Sequence, residues 1–574
     1  LVFLFVVLAT IFTVFAVKWV KVETDMTTYL PKTSETRMGL DIMEKEFTTY
    51  GSADVMVANI TPDEADQLND ELAGLRGIQM IEYDDTTAHY NNVSALYSIT
   101  FDYPEDDDQC LETLESVKEY LKDYDIYVST SLGNTQEETI EREVNVIMVY
   151  VAIIIVVVLI FTSQTYAEVP VLLLTFVVGM ILNMGTNFLL GTISFVSNSV
   201  TNILQLALSL DYAIIFCNHF KEEHETLPLK EAVIESLAKS IPEISSSSLT
   251  TMAGMVALMF MQFGIGLDLG RVMIKAILLS MLSVFGFMPG LIMLWEKQID
   301  RTLHKSFVPN IEFWGKIVLA IRHVTLPVFA VVMVVACFLS VNCNYVYDNS
   351  SVESAKMNEY MTAKREISKV FDLDNTLAVV VPKGDYDSEA RIMEEVESLP
   401  MVDSTLGLAN VTVDDDEQYV LTDSLTPQEL ADITDMDIDT IRLLYRFYAW
   451  KEEKYGAFLN SIDDFEIPLL SMIDFIYGEE ENETFDFSAD FSQDIQDMHK
   501  TVSDAREQLE GDEYSRMLVM TTGPIEGDEI FHTIDQIRDI AYQYYHEVYV
   551  VGDSTSDYDL SKSFTQDNLM GSIM

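Results

Sequence analysis

The sequence predicts an α-helical polytopic membrane protein that carries two α+β domains outside the bilayer. Three observations support this: seven apolar runs long enough to span a hydrocarbon core, acidic segments between them, and a β-α-β-β-α-β order that occurs twice. The chain has 574 residues, 34 of them basic and 93 acidic, for a formal charge of −59. Apolar and acidic residues are segregated, so the average composition conceals two kinds of segment. The acidic balance argues against a nucleic-acid partner, because phosphate binding needs clustered Lys and Arg. It also argues against docking the large polar parts onto anionic lipid.

Residues 1–17 (LVFLFVVLATIFTVFAV) form the first spanning helix, closed by Lys18 and Lys21. The run lacks the basic n-region and small-residue cleavage site of a signal peptide. It opens without Met, so further residues are expected upstream. Further runs fall at 144–162, 169–190, 195–220, 244–263, 272–295 and 325–341, each near the length a bilayer demands. The resulting divisions are 1–21 (first helix), 22–143 (first polar domain), 144–295 (helices two to six), 296–324 (linker), 325–343 (seventh helix) and 344–574 (second polar domain). Lys297, Arg301, Lys305, Lys316 and Arg322 in the linker, with Lys221, Lys230 and Lys239 in the expected loop 221–243, place those segments in the cytoplasm. Both polar domains are then extracytoplasmic. The expected external loop 264–271 is an exception, since Arg271 and Lys275 are basic.

In the first polar domain the strands are expected at 53–60, 77–83, 93–102 and 125–130, with helices at 62–75 and 107–122. Pro62 suits a first helical turn, and the acidic residues behind it suit the helix dipole. This order is that of a ferredoxin-like split βαβ unit. The second domain repeats it with strands at 376–382, 401–407, 516–522 and 547–552 and helices at 387–399 and 527–545. MEKEFTTYGSADVMV (43–57) aligns with ISKVFDLDNTLAVVV (367–381), matching Phe47 to Phe371, and the same offset lays 1–17 on 325–341. This is an internal duplication of about 324 residues, an arrangement that transporters use. An acidic helical insertion occupies about 421–512, and its aromatic stripe (Tyr445, Phe447, Tyr448, Trp450) reads as the core of a small cap. In the first half five spanning helices follow the polar domain. The second half stops at Met574, so the chain is expected to be truncated before the eighth transmembrane helix.

The stretch that organises the chain is 195–221, FVSNSVTNILQLALSLDYAIIFCNHFK. Asp211 lies about 15 Å from Lys221 along the helix, at 1.5 Å per residue. A carboxylate at that depth costs about 2.5–3.5 kcal/mol. Such a group binds a proton, an ion or a partner; the plain alternative is an Asp enclosed by neighbouring helices for packing. Burial there is expected to favour the neutral carboxylic acid. Asn198, Asn202, Gln205, Ser209 and Tyr212 recur at spacings of three and four. They form one stripe, either helix-packing glue or a transmembrane polar path. Asp211 points about 100° from Tyr212, so the two face different neighbours. The serines and threonines at 245–251 fit packing or a path in the same way.

One helix, an α+β unit, five helices and then the same again resembles the RND superfamily, in particular its bacterial MMPL-type, Patched-like branch. The residues carrying the resemblance are Leu210-Asp211-Tyr212-Ala213-Ile214, then Asn218 to Glu223, Ser248 to Gly254, Gly266 to Gly270, and Met288-Pro289. The resemblance implies an internally duplicated RND architecture with ferredoxin-like porter domains, set in a bacterial cytoplasmic membrane. It implies proton-driven export of lipids or hydrophobic, amphipathic or drug-like compounds, with protons as coupling ion and no other cofactor. Asp211 and Tyr212 are then half of a proton relay whose other half sits on a tenth helix beyond Met574, so this chain alone is not expected to transport. Membrane lipids and the cargo are the partners, and a homo-oligomer is compatible with the pattern. Two alternatives stay open: a non-transporting Patched-like receptor or scaffold, and a proton-driven secretion helper.

Other chemistry finds little support. No GxxxxGK[ST], HExxH or GxSxG pattern occurs, so neither ATP-driven nor enzymatic function is expected. Cys110, Cys217, Cys337 and Cys343 lack metal-ligand spacing, and no disulfide framework or zinc site is read from them. His219 and His224, five apart at a helix end, read as interfacial rather than metal-binding. DSTSDYD (553–559) imitates a calcium loop but lacks its Gly and closing Glu, and reads as a polar turn.

Overall fold

The structure, a computed structural model, describes residues 2–302, 304, 312–341, 359–371, 375–412, 419–434, 436–453, 461–481 and 489–573, apart from 85, 106, 131, 133–134 and 164. The chain divides into two compact units. One comprises residues 1–31, 136–346 and 560–574, and the other 32–135 and 347–559.

The first unit is helical. Its helices are α1 (Val2–Ala16), α2 (Thr135–Thr162), α3 (Glu168–Thr186), α4 (Phe195–His224), α5 (Leu229–Leu258), α6 (Gly264–Leu282), α7 (Met288–Arg301) and α8 (Glu312–Val341). Among the described residues five stretches are long and apolar enough to cross a membrane: Val2–Trp19, Glu168–Leu190, Phe195–His224, Gly264–Arg301 and Gly315–Leu339. Val146–Thr162 is a shorter apolar stretch. The run expected at 244–263 belongs instead to α5, whose helix starts at Leu229, continues through Pro242 and ends at Leu258. Its first half carries Lys230, Glu231, Glu235, Lys239 and Glu243, so hydropathy hides a helix that is half polar.

Two expected loops are corrected in the same way. Between α4 and α5 only residues 225–228 lie outside helix, and 264–271 is the start of α6. A π-helical turn, Ser283–Phe287, joins α6 to α7. Pro289 follows it, and a residue without an N–H leaves the carbonyl four positions back without its usual partner. The core of the unit includes Phe176, Leu182, Phe216, Val284, Phe287 and Ile292. Helix α1 packs on α3 at Gly185, where any Cβ would collide with the backbone of Thr13. Close approach through small residues is the usual way helices pack in lipid.

The second unit contains two four-strand arrangements of one topology. In the first, β1 (Tyr50–Ala58), β2 (Ile78–Glu82), β3 (Ser94–Pro104) and β4 (Asp125–Ser129) lie in the order β2-β3-β1-β4. In the second, β5 (Asn375–Pro382), β6 (Val402–Leu406), β7 (Tyr514–Thr521) and β8 (Tyr549–Val551) lie in the order β8-β5-β7-β6. All these neighbours are antiparallel, and Tyr90–Asn91 adds a short pairing to β3. The offset of 324 carries the helix Pro62–Ala73 onto the helix Tyr386–Glu397, twelve residues each. Glu64 accepts from the N–H and hydroxyl of Thr61 at 3.2 and 2.8 Å, closing the first turn as a capping box.

The repeats exchange a helix. Glu35–Glu46 precedes the first sheet but lies against β8 of the second, with Glu35 accepting from Arg538 at 2.8 Å and from the Val550 N–H at 3.3 Å. Glu359–Ile367 precedes the second sheet but packs on the first, where Ile367 and Phe371 bury against Met56 and Leu96. The Asn91 amide donates to the Val370 carbonyl at 2.9 Å. The matched pair follows suit: the Arg516 guanidinium of β7 lies over the Phe47 ring, with Cζ 5.1 Å from the ring centroid. Strand β1 is therefore buried on both faces, Val55 and Val57 toward its own helices and Met56 toward the exchanged one.

In the insertion, Ile438–Lys451 contributes Ile441, Leu444, Tyr445 and Tyr448 to a separate core, and the Tyr445 hydroxyl donates to the Leu425 carbonyl at 2.7 Å. Trp450 departs from the expected aromatic stripe: it is 60% exposed. The polar turn expected at 553–559 is a helix, Asp553–Ile573. Its Thr555 hydroxyl accepts from the Gly552 N–H at 2.9 Å, as a helix-capping group does, and Tyr558 donates to Asp535 at 2.6 Å.

Glu389 is 1% exposed in the second core. Burial, with the Glu510 and Asp385 carboxylates adding to it, pushes its carboxyl up from 4.5 to about 7. The folded state then holds the proton more tightly than the unfolded chain. The group's contribution is present below pH 4.5 and lost as pH rises through 7. Glu389→Gln should therefore raise the melting temperature at pH 8 by several degrees, at about 2–4 °C per kcal/mol, and leave it unchanged near pH 4. Scanning fluorimetry at both pH values checks this; an equal effect at each would contradict it.

Candidate functional site

Helix α4 is fixed at both ends. At its start, Lys21–Glu23 pairs in parallel with Thr192–Ser194, the Ser194 N–H donates to Asp268 at 2.8 Å, and the Ser194 hydroxyl accepts from the Ser197 N–H at 3.0 Å. That is a serine N-cap. Near its end, Lys221 Nζ lies 2.7 Å from the carboxylate of Glu168, which is 5% exposed. The hydroxyls of Ser163 and Thr165 donate to the same Glu168 oxygen, the extra satisfaction a buried ion pair requires.

Between these anchors the two central residues part company. Tyr212 is 3% exposed and packs in the helical core, its hydroxyl enclosed without a hydrogen-bond partner among the described residues. Asp211 is exposed, on the outward stripe of α4 that also carries Leu204, Ala207 and Asn218. The enclosed carboxylate expected from its depth is thus corrected. A step of about 100° per residue means that burying Tyr212 turns Asp211 outward. Asp211 remains deep along the helix, thirteen residues or about 20 Å from His224.

The structure joins Gln205 and Ser209 in a polar seam among α3, α4 and α6. Gln205 Nε2 donates to the Gly179 carbonyl at 3.0 Å and to Ser280 Oγ at 3.1 Å, and Ser209 donates to Ser280 Oγ at 2.8 Å. Ser283 is close by, 3.3 Å from where a Cβ on Gly179 would sit. Asn202 is buried and Asn198 half-buried, and no hydrogen bond ties either side chain to the seam among the described residues. In the 245–251 run, Thr250 and Thr251 bond back to Ser246 and Ser247 carbonyls of their own helix.

Asn183, Thr201 and Ser280, and the contacts of Lys275, were not read from the sequence. Asn183 is 0% exposed, and neither atom of its amide has a partner among the described residues; the same holds for Thr201 Oγ1 and Gln205 Oε1. Lys275 Nζ donates to the Asn183 carbonyl at 2.9 Å, to Thr186 Oγ1 at 3.2 Å and to Asn187 Oδ1. It closes the C-terminal end of α3, where free carbonyls and the helix dipole favour a cation. The available signal was a lone polar residue in an apolar run: Asn183, four after Gly179, and Ser280. Buried polar atoms left unpaired cost about 1–3 kcal/mol each, and polar cavities satisfy them with ordered water.

Comparison with known proteins places this geometry in context. Residues 53–336 match the MMPL family. No curated protein sequence matches the chain. Two solved structures of SecDF are similar at 16% identity. One, in a super-membrane-facing form, has a TM-score of 0.29 and covers 52% of this chain and 38% of that one. The other, a translocon-associated membrane protein from Thermus thermophilus, has a TM-score of 0.27 and covers 46% and 36%.

Proposed function

We propose that the chain, whose residues 53–336 match the MMPL family, is an RND-type membrane protein that exports lipids or other hydrophobic or amphipathic compounds on the proton-motive force. Asp211 carries this reading. It is an ionisable group about 20 Å from the end of an apolar span, on a face otherwise lined by residues such as Leu204 and Ala207. A carboxylate kept there at a cost of about 2.5–3.5 kcal/mol has a proton to bind and a partner to meet. Asp211 takes up and releases the proton. Tyr212 holds the inward side of the same turn, and Gln205 and Ser209, with Asn198 and Asn202, line the polar path. The reading requires a partner surface opposite Asp211, which the sequence resemblance assigns to a tenth helix of the second repeat.

We read the two sheet units as ferredoxin-like porter domains outside a bacterial cytoplasmic membrane. Their shared strand order, 4-1-3-2 within each repeat, supports the fold, and the basic residues of the cytoplasmic segments support the sidedness. The test uses everted vesicles containing the full-length protein and a fluorescent phospholipid probe. Probe accumulation driven by a pH gradient and collapsed by a protonophore is expected. Accumulation indifferent to the protonophore would overturn the energy coupling, and none at verified incorporation would overturn the lipid class.

A further inference from the structure

We propose that His224, Glu296 and Asp300 form a binding site for a divalent transition-metal ion of the zinc or manganese class, at the end of the helix that carries Asp211. One ligand atom from each residue lies within 4.8 Å of the other two. The three come from two helices far apart in sequence. His224 is the last residue of α4, and Glu296 and Asp300 stand four apart on α7, a spacing that sets side chains on one helix face.

The separations suit coordination better than direct bonding. His224 Nε2 is 3.8 Å from Asp300 Oδ1, too long for a hydrogen bond. Nitrogen and carboxylate ligands bind zinc at about 2.0–2.2 Å, so two ligands on one ion stand roughly 3–4 Å apart. The imidazole is positioned independently of any ion. Its ring stacks on buried Phe220, centroids 5.1 Å apart and planes within 16°. Its Nδ1 is enclosed without a partner among the described residues, and Nε2, facing Asp300, is the nitrogen open to a ligand. Helix α7 is seated by Ile292 and Ile299 in the helical core, so the carboxylates are carried on packed helices rather than on a loop, which favours a defined site.

The local charge also calls for a cation. Two carboxylates four apart on a helix repel one another, and neither Glu296 nor Asp300 is paired with a lysine or arginine among the described residues. Lys297 and Arg301 follow them by one position and so point about 100° away. The nearby His219 is engaged elsewhere, 2.8 Å from Glu243. One imidazole and two carboxylates leave positions open for water, a donor set that hard-to-borderline divalent ions accept. An ion bound there would pin the end of α4 to α7.

Titration calorimetry of the purified full-length protein with Zn2+, and the visible absorption of Co2+ as a geometric probe, test the site. One equivalent per chain is expected, with affinity at least roughly 10-fold weaker in Glu296→Gln, in Asp300→Asn and in His224→Ala, and unchanged in His219→Ala. Zinc should raise the melting temperature of wild type but not of the Glu296→Gln, Asp300→Asn double variant. These carboxamide exchanges keep side-chain shape at half-buried and exposed positions, so loss of binding is separable from loss of fold. Equal affinity in the double variant and wild type, or no binding in wild type, would overturn the proposal.

Discussion

Exchanging Asp211 for Asn in the full-length protein should reduce proton-driven probe transport to the background of protein-free vesicles, with thermal stability within about 0.5 kcal/mol of wild type. The two halves of this expectation have separate origins. Asp211 is exposed and makes no hydrogen bond among the described residues, so the amide removes no packing and leaves no orphan. It does remove the group that lies deep along that face of α4, far from Glu222 at the helix end, and can take and release a proton. Tyr212→Phe sharpens the comparison. The Tyr212 hydroxyl is buried and has no partner among the described residues, so its deletion should be neutral or slightly stabilising, and any slowing of transport would then report a functional role. Transport assays beside melting curves check both. A destabilised Asp211→Asn protein, or one that transports normally, would contradict the assignment.

Gly39→Val should destabilise the second unit strongly. A Cβ at position 39 would stand 2.5 Å from Cγ2 of Val551 and 2.9 Å from Cβ of Tyr549, and valine adds two methyl groups to that collision. Overpacking of this kind costs about 1–3 kcal/mol. Here it would also lift the Glu35 carboxylate from Arg538 and the Val550 N–H. At about 2–4 °C per kcal/mol the melting transition should fall by several degrees, with faster proteolysis of this unit. Gly74→Val, where a Cβ meets only the Glu71 and Asp70 carbonyls at the ordinary distances of 3.5 and 3.8 Å, is the matched control. Equal stability of the two variants would contradict the exchanged-helix packing.

The helix exchange shows where reading the sequence stops. Pro62, the Thr61–Glu64 pair and the apolar strands make the alternation of elements legible, and the Phe47–Phe371 match makes the repeat legible. An offset says which segments are equivalent, but not that each leading helix packs on the other repeat's sheet. The central helix divides likewise. Spacings of three and four reveal the stripe through Gln205 and Ser209, and the 100° step reveals that Asp211 and Tyr212 diverge. Which of the two faces inward depends on Gly179, Ser280 and the rest of α3 and α6, and no periodicity within α4 contains that. Lone residues such as Asn183 give no pattern until their helices are assembled. Residues 553–559 misled for a different reason, since Ser, Thr and Asp favour turns and helix starts alike. His224 reads as interfacial because its metal-ligating companions lie more than seventy residues on.

The measurement that bears most directly on the central claim is proton flux. Full-length protein in proteoliposomes would be given a pH gradient, and its decay followed with an internal pH-sensitive dye for wild type and Asp211→Asn, with and without added lipid extract. The account predicts flux in wild type, stimulated by lipid, and its loss in Asp211→Asn. Equal flux in both proteins, or none in wild type at verified incorporation, would contradict it.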